Sequence, residues 1–457
     1  MRSIMHIDFN SYFASVEQQA NPRLRGKPIG VTGGDRMKRT VLGAASIEAK
    51  RFGVKTGMQI WEARKLCPQI ILVPGDSDKY LETTKRFLNI LKDYSPYLEV
   101  FSIDECFLEL KGSEINSEIL RLTPQDDKSV ILSEAKNLSR MRVISIAQDI
   151  KKRIKQEIGE WITCSIGISY NKLMAKLAGS LKKPDGLIII STQEEAIKIL
   201  DQIELDTICG IGPRIKKRLN NLGISNFYQL RQAPLESLLA AFKSYGQTLY
   251  NMARGIDNST IVPFYTKGEV KSIGHRHTID HDTADLTEIK QILLKLSEMV
   301  ARRLRAKTLV GKTIHCWYRE AFSVHLEGDP MVTPGAHLRG GALPGEGSGF
   351  QGDGMQTTIP FTNDGLEIFQ AAWKIFHQIW NQEAIRMIGI SISNLTSQIP
   401  QNLSFLPEVK RKEIIIKTLD KINDKYGEFT LQRGILLTSA KIRRKPNPFL
   451  SDRRFKL

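Results

Sequence analysis

Two short apolar segments of this chain end in carboxylates, and they constrain its fold more than any other feature. The first is Ile4-Met5-His6-Ile7-Asp8-Phe9; the second is Phe101-Ser102-Ile103-Asp104-Glu105-Cys106-Phe107-Leu108. Both read as buried β-strands. A carboxylate within an apolar strand is costly unless it is paired or holds a cation. Three carboxylates converging at strand ends would hold two divalent cations about 3.5–4 Å apart, the arrangement for in-line displacement at phosphorus. Hard oxygen ligands select Mg²⁺, with Mn²⁺ as an alternative. Neighbours on a flat strand face opposite sides, so Asp104 and Glu105 serve one site only if the strand twists or turns there. Taken alone, either segment is equally a strand end whose carboxylate caps a turn.

The rest of the chain reads as a multidomain α+β protein. A helix is expected from Ser11 to Gln19, followed by a loop-rich stretch with Pro22, Gly26, Pro28, Gly30, Gly33 and Gly34, and an amphipathic helix from Tyr80 to Tyr94. Residues 112–141 are polar and without clear period, which predicts a surface insertion; helical pattern resumes from Val143 to Ile158. A strand from Thr163 to Ile168 and a helix from Asn171 to Leu181 come next, and residues 198–258 are mostly helical and lysine-rich. After a linker, residues 270–396 alternate strand and helix twice, the pattern of a small α+β domain with helices on one sheet face. Residues 322–355, rich in Gly and Pro, read as a second insertion, and the tail 401–457 holds one helix (408–425) and a basic end.

Composition narrows the class. Cys67, Cys106, Cys164, Cys209 and Cys316 are scattered without a CxxC pair, which argues against a disulfide framework or a zinc site. No apolar run long enough for a membrane span is present, and the N-terminus is too soon acidic for a signal peptide, so a cytoplasmic protein is expected. The net charge of +17 suits a polyanionic partner without specifying one.

Five segments, in order, make the reading specific: HIDFNSYFASVE, GKPIGV, SIEAKRFGVKTGM, FSIDECFLEL and SIGISYNKLMAKLAGSLKKPDG. Together they closely resemble the Y-family, or lesion-bypass, DNA polymerases, especially the bacterial DNA polymerase IV branch. The resemblance covers about residues 1–400. It implies a right-hand polymerase: a palm of residues 1–10 and 78–180, fingers of 11–77, a helix-hairpin-helix thumb of 181–258, a linker of 259–269, and a little finger of 270–400. It implies a monomeric, error-prone, template-directed polymerase without proofreading. Such an enzyme joins a dNTP to a primer 3′-hydroxyl on primer-template DNA, using two Mg²⁺ or Mn²⁺ ions.

Residue by residue, Asp8, Asp104 and Glu105 match the family's catalytic, metal-binding carboxylates, with the Phe9 backbone carbonyl as a further ligand. Phe13 matches the steric gate, a ring under the sugar that leaves no room for a 2′-hydroxyl. Lys172 matches the phosphate-binding lysine, and Tyr12, Lys50, Arg51 and Ser102 join the nucleotide site. The chain departs from the family at its fingers motif, where Tyr-x-Ala-Arg is replaced by Ile47-Glu48-Ala49-Lys50. Lysine keeps the charge and loses the bidentate fork, and Ile47 cannot hydrogen-bond a phosphate. Weaker or rearranged triphosphate contact is expected, with Arg51 as compensation.

Ile208-Cys209-Gly210-Ile211-Gly212-Pro213-Arg214 resembles a helix-hairpin-helix, with Cys209 in place of the usual proline. Gly210 and Gly212 would let backbone N–H groups meet a DNA phosphate, with Arg214 and Lys216 alongside. Lys271 and Arg276 open the expected little finger, and Arg302, Arg303, Arg305 and Lys307 are expected to grip duplex backbone. Gln401, Leu403, Phe405 and Leu406 resemble the peptide that enters a sliding-clamp groove. Two other readings remain: an inactive relative that only binds DNA or the clamp, and a helix-hairpin-helix nuclease using the same metals for hydrolysis.

Overall fold

The computed structural model describes residues 3–33, 41–110, 128–266, 269–321, 352–397, 407–427 and 429–437. Two compact units meet in sequence at residues 267 and 268.

The first unit runs β1 (Ser3–Phe9), α1 (Tyr12–Ala20), β2 (Ile29–Thr32), β3 (Leu42–Ala45), α2 (Ile47–Arg51), α3 (Ile60–Leu66), β4 (Ile71–Pro74) and α4 (Ser77–Lys92). It continues with β5 (Leu98–Val100), β6 (Glu105–Leu110), α5 (Lys128–Glu157), β7 (Cys164–Ser169), α6 (Lys172–Leu181) and β8 (Leu187–Ile190). Five strands form one sheet in the order β5-β6-β1-β7-β8, with β1 antiparallel to both neighbours. Strand alternation then sorts the side chains of β1. Met5, Ile7 and Phe9 enter a core with Phe87, Leu88 and Leu91 of α4 and Ala147, Ile150 and Ile154 of α5. Ile4, His6 and Asp8 face the other side, where Ile4 and Phe107 pack with Ala175 of α6.

Two glycines let α6 lie this close. A Cβ on Gly167 of β7 would stand 2.1 Å from both the Ala175 carbonyl oxygen and the Gly179 nitrogen. The helix therefore runs back along β7 with backbone almost touching backbone. A smaller sheet, β3-β2-β4, packs with α2 and α3 around Leu42, Ala45, Ala49, Ala63 and Cys67. Helices α7 (Gln193–Leu200), α8 (Pro213–Asn221), α9 (Phe227–Gln232), α10 (Leu235–Phe242) and α11 (Ser244–Met252) enclose a third core around Leu219, Phe227, Leu238 and Leu249.

The second unit runs β9 (Ser272–Thr283), α12 (Leu286–Ala306), β10 (Leu309–Glu320), β11 (Gly354–Thr362), α13 (Gly365–Ile379), β12 (Ile385–Ser393), β13 (Thr396–Ser397) and α14 (Pro407–Tyr426). Its main sheet has the order β11-β10-β12-β9, and α12 and α13 bury Ile273, Ile314, Ile388, Ile390 and Ile392 on one face. The expected α+β domain with helices on a single sheet face is what forms.

Three expectations are corrected. The polar stretch 128–141 is no irregular excursion: it is the first half of the single helix α5, and residues 112–127 lie outside the described residues. Glu105 is not mid-strand, because β6 begins at it and Phe101–Asp104 form a turn. The arginines of α12 do not face outward for DNA. Arg305 makes a two-pronged ion pair with Asp420 of α14 at 2.6 and 2.8 Å, Arg302 bonds Asp424 at 2.6 Å, and Arg303 donates to the Gly274 carbonyl at 2.8 Å. Lys307 is the C-cap of α12. The segment 322–351 and the residues Gln401, Leu403, Phe405 and Leu406 lie outside the described residues. All five cysteines are free, four of them buried. No described helix is long and apolar enough to cross a membrane.

Candidate active site

The turn before β6 answers the strand-geometry question. Phe101 and Ser102 both donate their N–H groups to the Glu105 carbonyl, at 3.1 and 3.0 Å, so the chain doubles back within four residues. Phe9 N–H donates to the Asp104 carbonyl at 2.9 Å, which ties that turn to the end of β1. Asp8 sits directly opposite Glu105 in the register, so their side chains share a face. Asp104, released from the pleat by the turn, comes to the same end of the sheet.

Asp8 and Asp104, though not Glu105, line a cavity of about 570 Å³ together with Phe13, Lys50, Arg51 and Lys183 among others. Ile47, Phe9, Ser11 and Tyr12 also line it. Metal-compatible atoms of Asp8, Glu105 and His6 lie within 4.8 Å of one another. The electrostatics are those of a site that wants cations. Burial raises the Asp104 carboxyl above its usual range against a hydrogen bond from Ser102, and the charges of Asp8 and Glu105 push the same way. Burial also opposes ionisation of Glu105, but hydrogen bonds from His6 and Lys176 outweigh it and hold the group at about 2. Lys183 Nζ lies 2.8 Å from Asp8 Oδ2, and Lys176 bonds Glu105 Oε2. Burial and the neighbouring Lys183 hold the Lys50 ammonium below its usual range, with Asp8 and Asp104 opposing. The donor set, carboxylates with hard oxygens converging at one strand end, fits divalent cations of the Mg²⁺ type.

Most expected site residues come together here, in different roles from those the motifs suggested. Ser102 Oγ donates to Asp104 Oδ1 at 2.5 Å, so it orients a carboxylate. The Tyr12 hydroxyl points into the core, bonding the Tyr80 carbonyl and Thr84 Oγ1 at 2.8 Å each, and only the rest of the residue lines the cavity. Thr84 in turn donates to the Ile103 carbonyl at 2.8 Å, so α1 and α4 both brace the carboxylate turn. Phe13 stacks on Tyr80 with centroids 4.4 Å apart.

Lys172 is the clear correction. Its ammonium is held by both oxygens of Glu99 at 2.8 Å, and it does not line the cavity. It stands at the first turn of α6, and the helix carries the chain back along β7 before Lys183 reaches Asp8. At 1.5 Å per residue the helix end at Leu181 is about 14 Å from Lys172 along the axis, and Lys183 lies in the loop beyond it. The loop that presents Lys183 is pinned. Asn10 Oδ1 accepts the Asp185 N–H at 2.8 Å, Lys151 donates to the Asp185 carbonyl at 2.5 Å, and Lys155 pairs with its carboxylate at 2.9 Å.

His6, Asn10, Ser11, Lys176 and Lys183 are site residues that motif matching passed over. Helical spacing held a signal for one of them, since Lys176 lies four residues after Lys172 and so shares its helix face. Ser11 adopts left-handed backbone, φ 48°, and its buried Oγ has no partner among the described residues. For a residue with a Cβ that conformation carries strain of the kind found at functional sites.

Elsewhere, Gly210 has φ +111°, a Cβ there would meet Met252 Cε at 2.7 Å, and its carbonyl accepts from Tyr245 Oη at 2.8 Å. Gly212 is the N-cap of α8, and Arg214 on that helix is exposed. Lys216 is revised: it bridges Glu204 and Asp206 at 3.0 and 2.9 Å. Lys271 and Arg276 of the second unit are exposed.

Residues 7–180 match the impB/mucB/samB family, residues 270–405 match the C-terminal domain of that family, and residues 206–257 match the thumb domain of DNA polymerase iota. The DNA polymerase IV of Moorella thermoacetica is 33% identical over 441 residues, covering 96% of this chain and 97% of that one. That of Pelotomaculum thermopropionicum is 32% identical over 444 residues, covering 97% of each. Among solved structures, a Y-family DNA polymerase chimera superposes with a TM-score of 0.63 at 22% identity, covering 86% of this chain and 98% of the chimera.

Proposed function

This chain belongs to the Y family of DNA polymerases, in the DNA polymerase IV branch, and we propose that Asp8, Asp104 and Glu105 carry its nucleotidyl transfer. It is a DNA-directed DNA polymerase of the translesion type. The observation that carries the site reading is the single cavity that Asp8 and Asp104 share with Phe13, Lys50, Arg51 and Lys183.

Asp8, Asp104 and Glu105, with the Phe9 carbonyl, would hold two Mg²⁺ ions, or Mn²⁺. Bound there, such ions lower the pKa of the primer 3′-hydroxyl and neutralise the triphosphate. Lys183, Lys50 and Arg51 supply fixed positive charge for the dNTP phosphates. Lys183 does the work first assigned to Lys172. Without a guanidinium fork at position 50, the triphosphate is held by two point charges and by Arg51. Ser11 Oγ offers one further polar atom to the nucleotide. Phe13, braced by Tyr80, stands where a ring beside C2′ would exclude a ribonucleotide. Catalysis is then chiefly positioning and electrostatics.

In hand terms, the five-stranded sheet with α4 to α6 is the palm, β2–β4 with α1 to α3 the fingers, α7 to α11 the thumb, and the second unit the little finger. Gly210, Gly212 and Arg214 of the thumb, with Lys271 and Arg276, contact primer-template phosphates without reading sequence. Residues 401–406 are the peptide for a sliding clamp, and the working species is a monomer.

The test is primer extension by Asp104→Ala. Extension should vanish while primer-template affinity, measured by fluorescence anisotropy, stays within about twofold, because the carboxylate serves the transition state rather than DNA binding. Retained extension would remove Asp104 from the metal site. Cleavage of the primer by the unmodified chain would favour the nuclease, and binding with neither reaction the inactive scaffold.

A further inference from the structure

His6 lies one pleat behind Asp8 on β1, on the same face of the sheet. Its Nε2 is 3.0 Å from Glu105 Oε2, and the residue is 1% exposed. A carboxylate only accepts, so Nε2 carries the proton and the ring donates. The ring is held on two sides. Phe107 packs on it with centroids 4.8 Å apart, and α6 approaches so closely that a Cβ on Gly179 would come 3.1 Å from Nδ1. Nδ1 itself is buried and has no partner among the described residues. A bare buried nitrogen costs stability that an apolar side chain at this position would not. What the imidazole gains in exchange is its bond to Glu105.

That bond falls on one oxygen. Lys176 bonds the same Oε2, so the two donors leave Oε1 for a ligand. Lys176 is a long, partly exposed side chain, whereas the imidazole is rigid and enclosed. We propose that His6 is a positioning residue, which fixes the rotamer of Glu105 so that its other oxygen meets the divalent cation. It acts on the metal through Glu105, as outer partners of metal-binding carboxylates do. The inference rests on the reading of Glu105 as a metal ligand.

Mn²⁺ is the probe. The full chain is bound to a dideoxy-terminated primer-template with the matching dNTP, so that no reaction occurs, and Mn²⁺ binding is followed by electron paramagnetic resonance. His6→Leu should raise the half-saturating Mn²⁺ concentration about tenfold. His6→Gln, whose amide N–H extends to the place of Nε2, should stay within about threefold of the unmodified chain, while His6→Asn, whose amide stops near Nδ1, should behave like His6→Leu. Should His6→Leu fail to fold, the contrast between the glutamine and asparagine variants carries the test. Equal half-saturation in all variants overturns the inference. So does a glutamine variant as weak as the asparagine one, because ring packing rather than the hydrogen bond would then be at work. Glu105→Ala is the control. If it leaves Mn²⁺ binding unchanged, the metal assignment fails and takes the inference with it. If it weakens binding while the His6 variants do not, the inference alone fails.

Discussion

Replacing Lys183 and Lys172 singly by alanine separates two lysines that sequence motifs place in one segment. Lys183 reaches Asp8 at 2.8 Å within the cavity, and in the proposed function it meets a triphosphate oxygen. A charge-assisted hydrogen bond of that kind contributes about 1.5–3 kcal/mol. At 1.4 kcal/mol per factor of ten, Lys183→Ala should raise the dNTP KM roughly 10- to 150-fold. The bond exists before the chemical step, so kcat should change much less. Lys172 lies 183 − 172 = 11 residues earlier in the chain. The helix end at Leu181 is already about 14 Å from it along the axis, beyond the Debye length of about 8 Å at physiological salt, and Lys183 lies past that end. Lys172→Ala should therefore move KM by less than about twofold, since screened charge at that range contributes little. Its cost falls on stability. The side chains of Lys172 and Glu99 are 13% and 14% exposed, and Glu99 would keep only weaker partners such as the Val262 N–H at 2.7 Å. Breaking exposed pairs costs about 0–1 kcal/mol and buried ones about 3–5, which puts this loss near 2 kcal/mol. A unit of this size should then melt about 4–8 °C lower. Single-nucleotide incorporation over a dNTP series, with differential scanning fluorimetry on the same samples, measures both quantities. A tenfold KM increase in Lys172→Ala beside an unchanged Lys183→Ala would refute the assignment.

Two other outcomes are expected. Phe13→Ala should raise ribonucleotide incorporation relative to dNTP by about ten- to a hundredfold, since one lost steric contact is worth about 1–3 kcal/mol of discrimination; an unchanged sugar preference in a competition assay would remove its gate role. In the second unit, His281 bonds Asp280 of β9 at 2.8 Å and Glu288 of α12 at 3.0 Å, and the Asp280 bond leads in raising its pKa above the ordinary value. A raised folded pKa gives stability that is fully present below the unfolded value of about 6.5 and is lost as pH rises through the folded value. The melting temperature should therefore exceed that of His281→Gln most at about pH 5.5 and converge with it on the alkaline side; a gap that widens with pH would show the sign to be wrong.

Local pattern carried much of this protein. Alternation of apolar residues marked β1 and put Asp8 at its end, and period-3.6 stripes marked α12 and α13, because those signals depend only on which face of an element is buried. The carboxylates stood out as charges in apolar segments, whereas Phe13, Lys50 and Arg51 were legible only through the resemblance of their segments to the Y-family polymerases. Tertiary structure decided the partners. Lys183 meets Asp8 across 175 residues and His6 meets Glu105 across 99, through a strand register and a helix crossing set by Gly167 against α6. The same holds for Arg305, whose charge read as a DNA contact until Asp420 of α14 was found against it. A residue's type and period fix the face it occupies, but which charge it meets there depends on how distant segments pack, and no local pattern contains that information.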